Sequence, residues 1–230
     1  MNAPTTLVAV ALLGLAVGSL LVPITRRELA AAVSRSASFA RHATDAPDVV
    51  TPLRISRGHW ITLAVASGLV PAYLLHRVGW SFNALPPLLL LVGLVQLAYC
   101  DLKRRLLPKT LVYALSVAVI ASAVVIALWT GEGERLVQAT LGGVISFALF
   151  FTVNLMNPRW MAFGDVRLSL VFGFGLAWVS PIDLFEAFLF ANLLALIAGL
   201  VLIATRRADR TSSLPFGLFM ALGAALVLII

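Results

Sequence analysis

The sequence has few of the residues that build metal sites and disulfides. A single cysteine, Cys100, excludes a disulfide within the chain and a zinc site made of several thiolates. The three histidines, His42, His59 and His76, show no metal-ligand spacing. We therefore assign no metal.

Charge is also scarce, because only 12% of the residues are charged whereas 61% are hydrophobic and the mean hydropathy is +1.01. These values exclude an ordinary soluble globule. A membrane-spanning helix needs about 20 mostly apolar residues. The chain contains eight apolar runs, some of them short or interrupted by Gly and Pro, at approximately 5–24, 60–78, 84–100, 110–129, 136–156, 167–181, 184–204 and 214–230.

The pattern predicts an all-α polytopic membrane protein with about eight transmembrane helices and a short cytoplasmic segment after the first. Arg26 and Arg27 follow the first apolar run instead of preceding it, so we interpret that run as a retained span and not as a signal peptide. We divide the chain into residues 1–59, a span with a basic cytoplasmic segment, and residues 60–230, a helical domain. Anionic lipid headgroups would attract the arginines of residues 25–59.

The basic residues are distributed asymmetrically, which predicts the orientation. If the segment after the first span is cytoplasmic, then all 17 basic residues except Arg77 and Arg135 lie in cytoplasmic segments. Cytoplasmic loops of membrane proteins carry such an excess of Lys and Arg. Both termini should therefore lie outside the cytoplasm. The net charge of +7 is then explained by topology, and a nucleic-acid partner is not expected.

Two carboxylates, Asp101 and Asp165, stand at the edges of apolar runs, where an ionisable residue is costly and usually has a function. They are 64 residues apart with two predicted spans between them, so both should lie at the cytoplasmic surface. Two carboxylates close together share a proton, and such a pair can activate water and polarise a carbonyl, as in aspartic proteases. By the helix-dipole argument, Asp165 near a span N-terminus favours the ionised form and Asp101 near a span C-terminus favours the protonated form.

Structural roles compete with this interpretation. A lone Asp at a span end more often caps a helix or pairs with a basic neighbour, and Lys103, Arg104 and Arg167 are near enough in sequence. Asn154 either serves helix packing or lines a polar cleft. Gly142 and Gly143 favour close helix packing. Cys100 is expected to be a small, buried hydrophobic residue.

Three segments resemble the prepilin peptidase family, the intramembrane aspartic endopeptidases that process type IV prepilins and pseudopilins. Asp101 is followed by basic residues and by Pro108, as in the family's first aspartate motif. Phe163-Gly164-Asp165-Val166-Arg167-Leu168 is similar to the second motif, GxGD followed by Val or Ile, Lys and Leu. Leu214-Pro215-Phe216-Gly217 is similar to the start of the family's last span. The three motifs occur in the family's order.

The resemblance implies that Asp101 and Asp165 are catalytic and that the substrate is a prepilin or pseudopilin with a basic leader, cut at the cytoplasmic face of the bacterial inner membrane. Gly164, Pro215, Phe216 and Gly217 would bind substrate. Proteolysis would need no cofactor.

The sequence also departs from the family pattern. Ala162 replaces the first glycine of GxGD, and Lys109 stands where the family often has Asn or Asp. Residues 25–59 lack the paired cysteines of many bifunctional members, which leaves N-methyltransferase activity open. S-adenosylmethionine is implied only if that activity is present.

Functions of other classes also fit part of the pattern. A proton or cation transporter or channel could use the Asp101/Asp165 pair as its ion site, although no inverted repeat supports it. A catalytically silent assembly protein would not need two intact aspartates.

Overall fold

The computed structural model of the chain describes Arg27 and residues 81–104, 107–158, 161–206 and 216–229. The predicted spans 5–24 and 60–78, the segment 25–59 apart from Arg27, and Pro215 lie outside the described residues. The following description concerns the described part of the chain alone.

Six α-helices, preceded by a short 3₁₀ helix at Phe82–Ala84, make up the described region, which contains no strand. They are α1 (Leu85–Arg104), α2 (Lys109–Thr130), α3 (Gly133–Met156), α4 (Phe163–Ala177), α5 (Pro181–Ala204) and α6 (Phe216–Ile229). The all-α prediction is confirmed here, and each helix corresponds to one of the last six predicted spans.

Four of the helices are long and apolar enough to cross a membrane: Lys109–Thr130, Gly133–Met156, Pro181–Ala204 and the stretch Phe82–Leu102, which includes most of α1. The chain is thus a multi-pass membrane protein. α6 is apolar but shorter. Large apolar side chains of the long helices are exposed, as at Val117 and Leu200.

The helix α4 lies at the centre of the bundle and packs against each of the other five. Every residue from Val171 to Trp178 is buried. A helix surrounded in this way is apolar on all sides, so it shows no amphipathic stripe. At 15 residues it is about 22 Å long, shorter than the roughly 30 Å hydrocarbon core, as the short predicted span implied.

The predicted bounds of this span, 167–181, were wrong by four residues at each end. α4 begins at Phe163 and ends at Ala177. Trp178 and Val179 are apolar yet form a turn, which hydropathy does not distinguish from helix. Ser180 then caps α5, its Oγ accepting a hydrogen bond from the backbone N–H of Ile182 at 3.2 Å, and Pro181 occupies the first helical position. α5 consequently starts three residues before the predicted bound of 184.

Small residues let α3 and α4 approach each other closely, as expected from Gly142 and Gly143. A β-carbon at Gly142 would collide with the β-carbon of Ala177 and lie 2.9 Å from the carbonyl oxygen of Gly173. One at Gly143 would lie 3.0 Å from the carbonyl oxygen of Leu170. Contact between helix backbones of this kind is a common packing mode in membranes.

Polar contacts join the helix ends opposite the two aspartates. The side-chain amide of Asn83 donates hydrogen bonds to both carboxylate oxygens of Glu132, at 3.0 and 3.1 Å. The Trp178 indole N–H donates to the backbone carbonyl of Asn83 at 3.0 Å. Arg135 forms an ion pair with Glu132 at 3.1 Å. A turn joins α2 and α3, and Gly131 there adopts the left-handed φ of 75° that glycine tolerates best.

Candidate functional site

Asp101 lies in the last turn of α1 and is buried, with 6% of its surface exposed. α1 continues four residues past its predicted end at residue 100, so that the carboxylate projects from a helix and not from a loop. The adjacent Cys100 is fully buried, in agreement with its expected role as a small hydrophobe.

Asp165 is the third residue of α4 and is 7% exposed. Its carboxylate accepts a hydrogen bond from the backbone N–H of Ala162, the residue that precedes the helix. This is the second half of a capping box, in which an acid at the third helical position returns to the cap. Ala162 has φ −71° and ψ 144°, an extended conformation open to any residue, which explains why alanine can replace glycine here.

The two carboxylates lie at the same end of the bundle, as the two intervening spans predicted. α2 carries the chain away from Asp101 and α3 returns it to the start of α4, while α1 and α4 pack against each other. The charges of Asp101 and Asp165 interact with each other. Buried acids in this arrangement cannot both ionise easily, so the pair is suited to holding one proton.

Gly217 brings the first turn of α6 against this pair. It is buried, and a β-carbon there would lie 2.9 Å from Oδ2 of Asp101 and 3.5 Å from its Cγ. The neighbouring Phe216 is half-buried, with its ring centroid 5.8 Å from that of Phe150 in α3. Gly217 is therefore beside Asp101. Of the other three predicted substrate-binding residues, Gly164 directly precedes Asp165, Phe216 packs against α3, and Pro215 is outside the described residues.

Leu107 is a neighbour of the pair that the sequence did not single out. A β-carbon at Gly164 would lie 3.2 Å from Cβ of Leu107, and one at Gly217 would lie 3.5 Å from its Cδ2. Leu107 thus packs between the two glycines adjacent to the carboxylates. The only signal in the sequence is an apolar Leu-Leu pair between Arg105 and Pro108, which hydropathy alone does not interpret.

Asn154, whose role the sequence left open, positions the segment before α4. Its side-chain amide, in the last turns of α3, donates a hydrogen bond of 2.8 Å to the carbonyl oxygen of Met161. Met161 is followed directly by the Ala162 cap. The contact therefore fixes the connection that sets where Asp165 enters the bundle.

Among the described residues, Asp183 is an acid that does not join this site. Asp183 is in the first turn of α5, at the opposite end of the bundle, and is half-buried. Within the described ranges, no three His, Cys, Asp or Glu side chains are grouped so that they could hold a metal ion. The histidines His42, His59 and His76 are outside those ranges.

Comparison with known proteins places the described helices in one family. Residues 88–230 match the model of the type IV leader peptidase family, and this stretch includes both aspartates and α6. The chain belongs to the type IV leader peptidase family. The resemblance drawn from the three motifs is thereby confirmed at the level of the family.

Named relatives of this family member are prepilin leader peptidase/N-methyltransferases. The protein from Pseudomonas aeruginosa is 26% identical over 168 residues, covering 72% of this chain and 56% of the relative. That from Aeromonas hydrophila is 28% identical over 182 residues, covering 74% and 54%, and that from Myxococcus xanthus is 29% identical over 150 residues, covering 62% and 42%. The chain thus spans about half the length of these relatives. No solved structure matches it significantly.

Proposed function

We propose that this chain is an intramembrane aspartic endopeptidase that removes the basic leader from type IV prepilins or pseudopilins. The observation that carries the proposal is the buried pair Asp101 and Asp165, contributed by α1 and α4 at one end of the bundle with their charges interacting. Family membership supports prepilin processing as the reaction class. The relatives' names supply the substrate class.

The chemistry assigned to the pair needs one shared proton. The ionised carboxylate removes a proton from water, whose oxygen attacks the scissile carbonyl carbon, while the protonated carboxyl donates a hydrogen bond to the carbonyl oxygen. When the resulting tetrahedral intermediate collapses, the C–N bond breaks and the departing amine takes up the proton that the carboxylate had removed from water, which restores the pair with one proton. The products are a leader with a new carboxylate and a mature chain with a new amino terminus.

We assign the shared proton to the pair as a whole and not to either residue. Asp165 lies in the first turn of α4, where the partial positive charge of the helix N-terminus favours a carboxylate. Asp101 lies at the C-terminal end of α1, which favours the neutral acid, but the first turn of α6 approaches it and acts in the opposite sense. These helix termini therefore assign the proton to neither acid. Because the two acids interact, they titrate as a unit.

Gly164, Pro215, Phe216 and Gly217 are the proposed substrate-binding residues. Gly164 and Gly217 have no side chain that would keep the substrate backbone away from the two carboxylates. Leu107 lies between these glycines, so its side chain must move when the substrate binds. The scissile bond would be reached from the cytoplasmic face of the bacterial inner membrane. Both termini would then lie outside the cytoplasm, as the positions of the basic residues favour.

Proteolysis by this route uses no cofactor. Methylation of the new amino terminus would require S-adenosylmethionine, and residues 25–59 lack the paired cysteines seen in many bifunctional members. Substrate and membrane lipids are the expected partners, and nucleic acid is not.

The test is co-expression of the chain with a tagged prepilin. We expect a shift of the prepilin to a smaller form on a gel and an N-terminal mass that corresponds to loss of the leader, with no shift in cells carrying empty vector. A mass larger by one methyl group would assign the second activity. If no cleavage occurs while the protein inserts in the membrane, and vesicles containing it conduct protons or cations, the pair is an ion site and the proposal is wrong.

A further inference from the structure

A groove of about 350 Å³ lies between α2, α3 and α4, outside the aspartate pair. This volume is at the lower end of the range for small-ligand pockets, roughly 300–1,000 Å³. Its walls are mainly aromatic and aliphatic with one charge. They are formed by Tyr113, Ser116, Phe147, Phe163, Arg167 and Leu170.

The groove is on the opposite side of α4 from the dyad. Arg167 is four residues after Phe163 and three before Leu170, so all three residues share one helix face. Asp165 is two residues from Arg167, a rotation of about 200° at 3.6 residues per turn. A ligand in the groove would therefore not contact the carboxylate pair.

Arg167 is half-buried between two rings. Its guanidinium carbon is 4.5 Å from the ring centroid of Phe163 and 5.9 Å from that of Tyr113. Such stacking holds the guanidinium in place but provides no anion. Among the residues that the structure describes, Arg167 makes no ion pair, in contrast to Arg135, which is paired with Glu132.

A second cation is nearby on α2. Lys109 is exposed and lies one turn before Tyr113, on the same face of the helix. Both cations are at the bundle end where α2 and α4 begin, so they are placed at the depth of a membrane interface, where aromatic side chains also concentrate. Farther along the bundle, the flanking surfaces of α2 and α3 are apolar and exposed, as at Val117 and Val144.

We propose that this groove binds an anionic phospholipid. The phosphodiester accepts hydrogen bonds from Arg167 and is attracted by Lys109, while the glycerol and the upper acyl chains lie against Phe147 and Leu170. Charge complementarity selects an anionic headgroup, and the apolar flanks select a molecule with hydrocarbon chains over a free anion. The site is separate from the aspartate pair and does not depend on its activity.

Native mass spectrometry of the full chain in detergent tests this proposal, with phosphatidylglycerol and phosphatidylcholine of identical acyl chains as probes. We expect the wild type to prefer phosphatidylglycerol. Because a basic residue near an anionic lipid surface contributes about 1 kcal/mol, Arg167→Gln and Lys109→Gln should each weaken phosphatidylglycerol binding about fivefold. The matched control is Arg135→Gln at the other end of the bundle, where the Arg135 guanidinium carbon lies 5.9 Å from the ring centroid of Trp178. It should leave phosphatidylglycerol binding unchanged.

Arg167→Lys distinguishes loss of charge from loss of folding. It keeps the charge but loses the planar, ring-stacked guanidinium, so its phosphatidylglycerol binding should lie between that of wild type and that of Arg167→Gln. Equal binding of the two lipids by wild type would overturn the proposal, as would an equal loss in Arg167→Gln and Arg135→Gln. Displacement of the lipid by inorganic phosphate at the same concentration would mean that the site recognises a free anion. A rise in KM for prepilin in Arg167→Gln, with lipid binding unchanged, would assign the groove to the substrate.

Discussion

Gly217 and Asp101 are 116 positions apart in the chain, yet a β-carbon at Gly217 would lie 2.9 Å from Oδ2 of Asp101. The first turn of α6 therefore contacts the carboxylate at the end of α1 almost directly. Any side chain at residue 217 would have to displace α6 or the carboxyl group.

Gly217→Ala should lower kcat for leader cleavage by roughly 100-fold, since a displacement of about 1 Å in a catalytic group can have an effect of this size. The variant is measured against Gly133→Ala, whose new methyl group meets nothing within 4 Å. Wild-type kcat in Gly217→Ala would show that the close approach of α6 is unimportant to the reaction.

Gly164→Ala should also impair cleavage, because the new methyl group would lie 3.2 Å from Cβ and 3.4 Å from Cδ1 of Leu107. Leu107→Ala removes the second of these contacts and should partly relieve the defect. A double-mutant cycle on cleavage rate should give a coupling energy of about 0.5–3 kcal/mol, as is usual for residues in contact. Strict additivity of the two changes would contradict the packing of Leu107 against Gly164.

Asn154→Leu should lower the cleavage rate about tenfold, because a small displacement of a catalytic group is costly and this variant frees the segment before Asp165. The lost hydrogen bond to Met161 should lower the free energy of unfolding by about 1 kcal/mol, a typical value for such bonds in membrane proteins. Asn192→Leu is the control, since among the described residues Asn192 bonds within α5 alone, to the carbonyl of Phe188 at 2.8 Å. Equal effects of the two substitutions on cleavage would mean that Asn154 does not position Asp165.

Leader cleavage should show a bell-shaped pH dependence of kcat/KM. At low pH both Asp101 and Asp165 are protonated and no base is present, whereas at high pH both are ionised and no acid remains. The apparent pKa values of the acidic and alkaline limbs should belong to the pair and not to either residue. Cleavage measured across a pH series with a stable, detergent-solubilised enzyme would contradict the shared proton if the rate kept rising with pH on the alkaline side.

The sequence predicted that the two acids lie at the same end of the bundle, because counting spans requires only the number of apolar runs between them. It also predicted close packing at Gly142 and Gly143, since small residues in a span have few other roles. The family motifs identified Gly217 as a candidate, but not its contact with Asp101.

Other features were beyond the sequence because the helices are apolar on most sides. A uniform apolar run does not reveal which neighbour it faces, so the central position of α4 and the role of Leu107 were not predicted. Hydropathy also extended α4 through Trp178 and Val179, which form a turn before the Ser180 cap. Ser180 and Pro181 mark this boundary in the structure, whereas the predicted bounds followed the apolar runs alone.

The most direct test of the account is the kcat for leader cleavage of purified Asp101→Asn, Asp165→Asn and Asp183→Asn. Asp183 is the matched control, a half-buried acid at the third position of α5 and at the other end of the bundle. We predict that each of the first two variants loses at least about 1,000-fold in kcat, as catalytic units do when one member is removed, while Asp183→Asn stays near wild type. Cleavage within tenfold of wild type by either correctly inserted Asp101→Asn or Asp165→Asn would contradict the account.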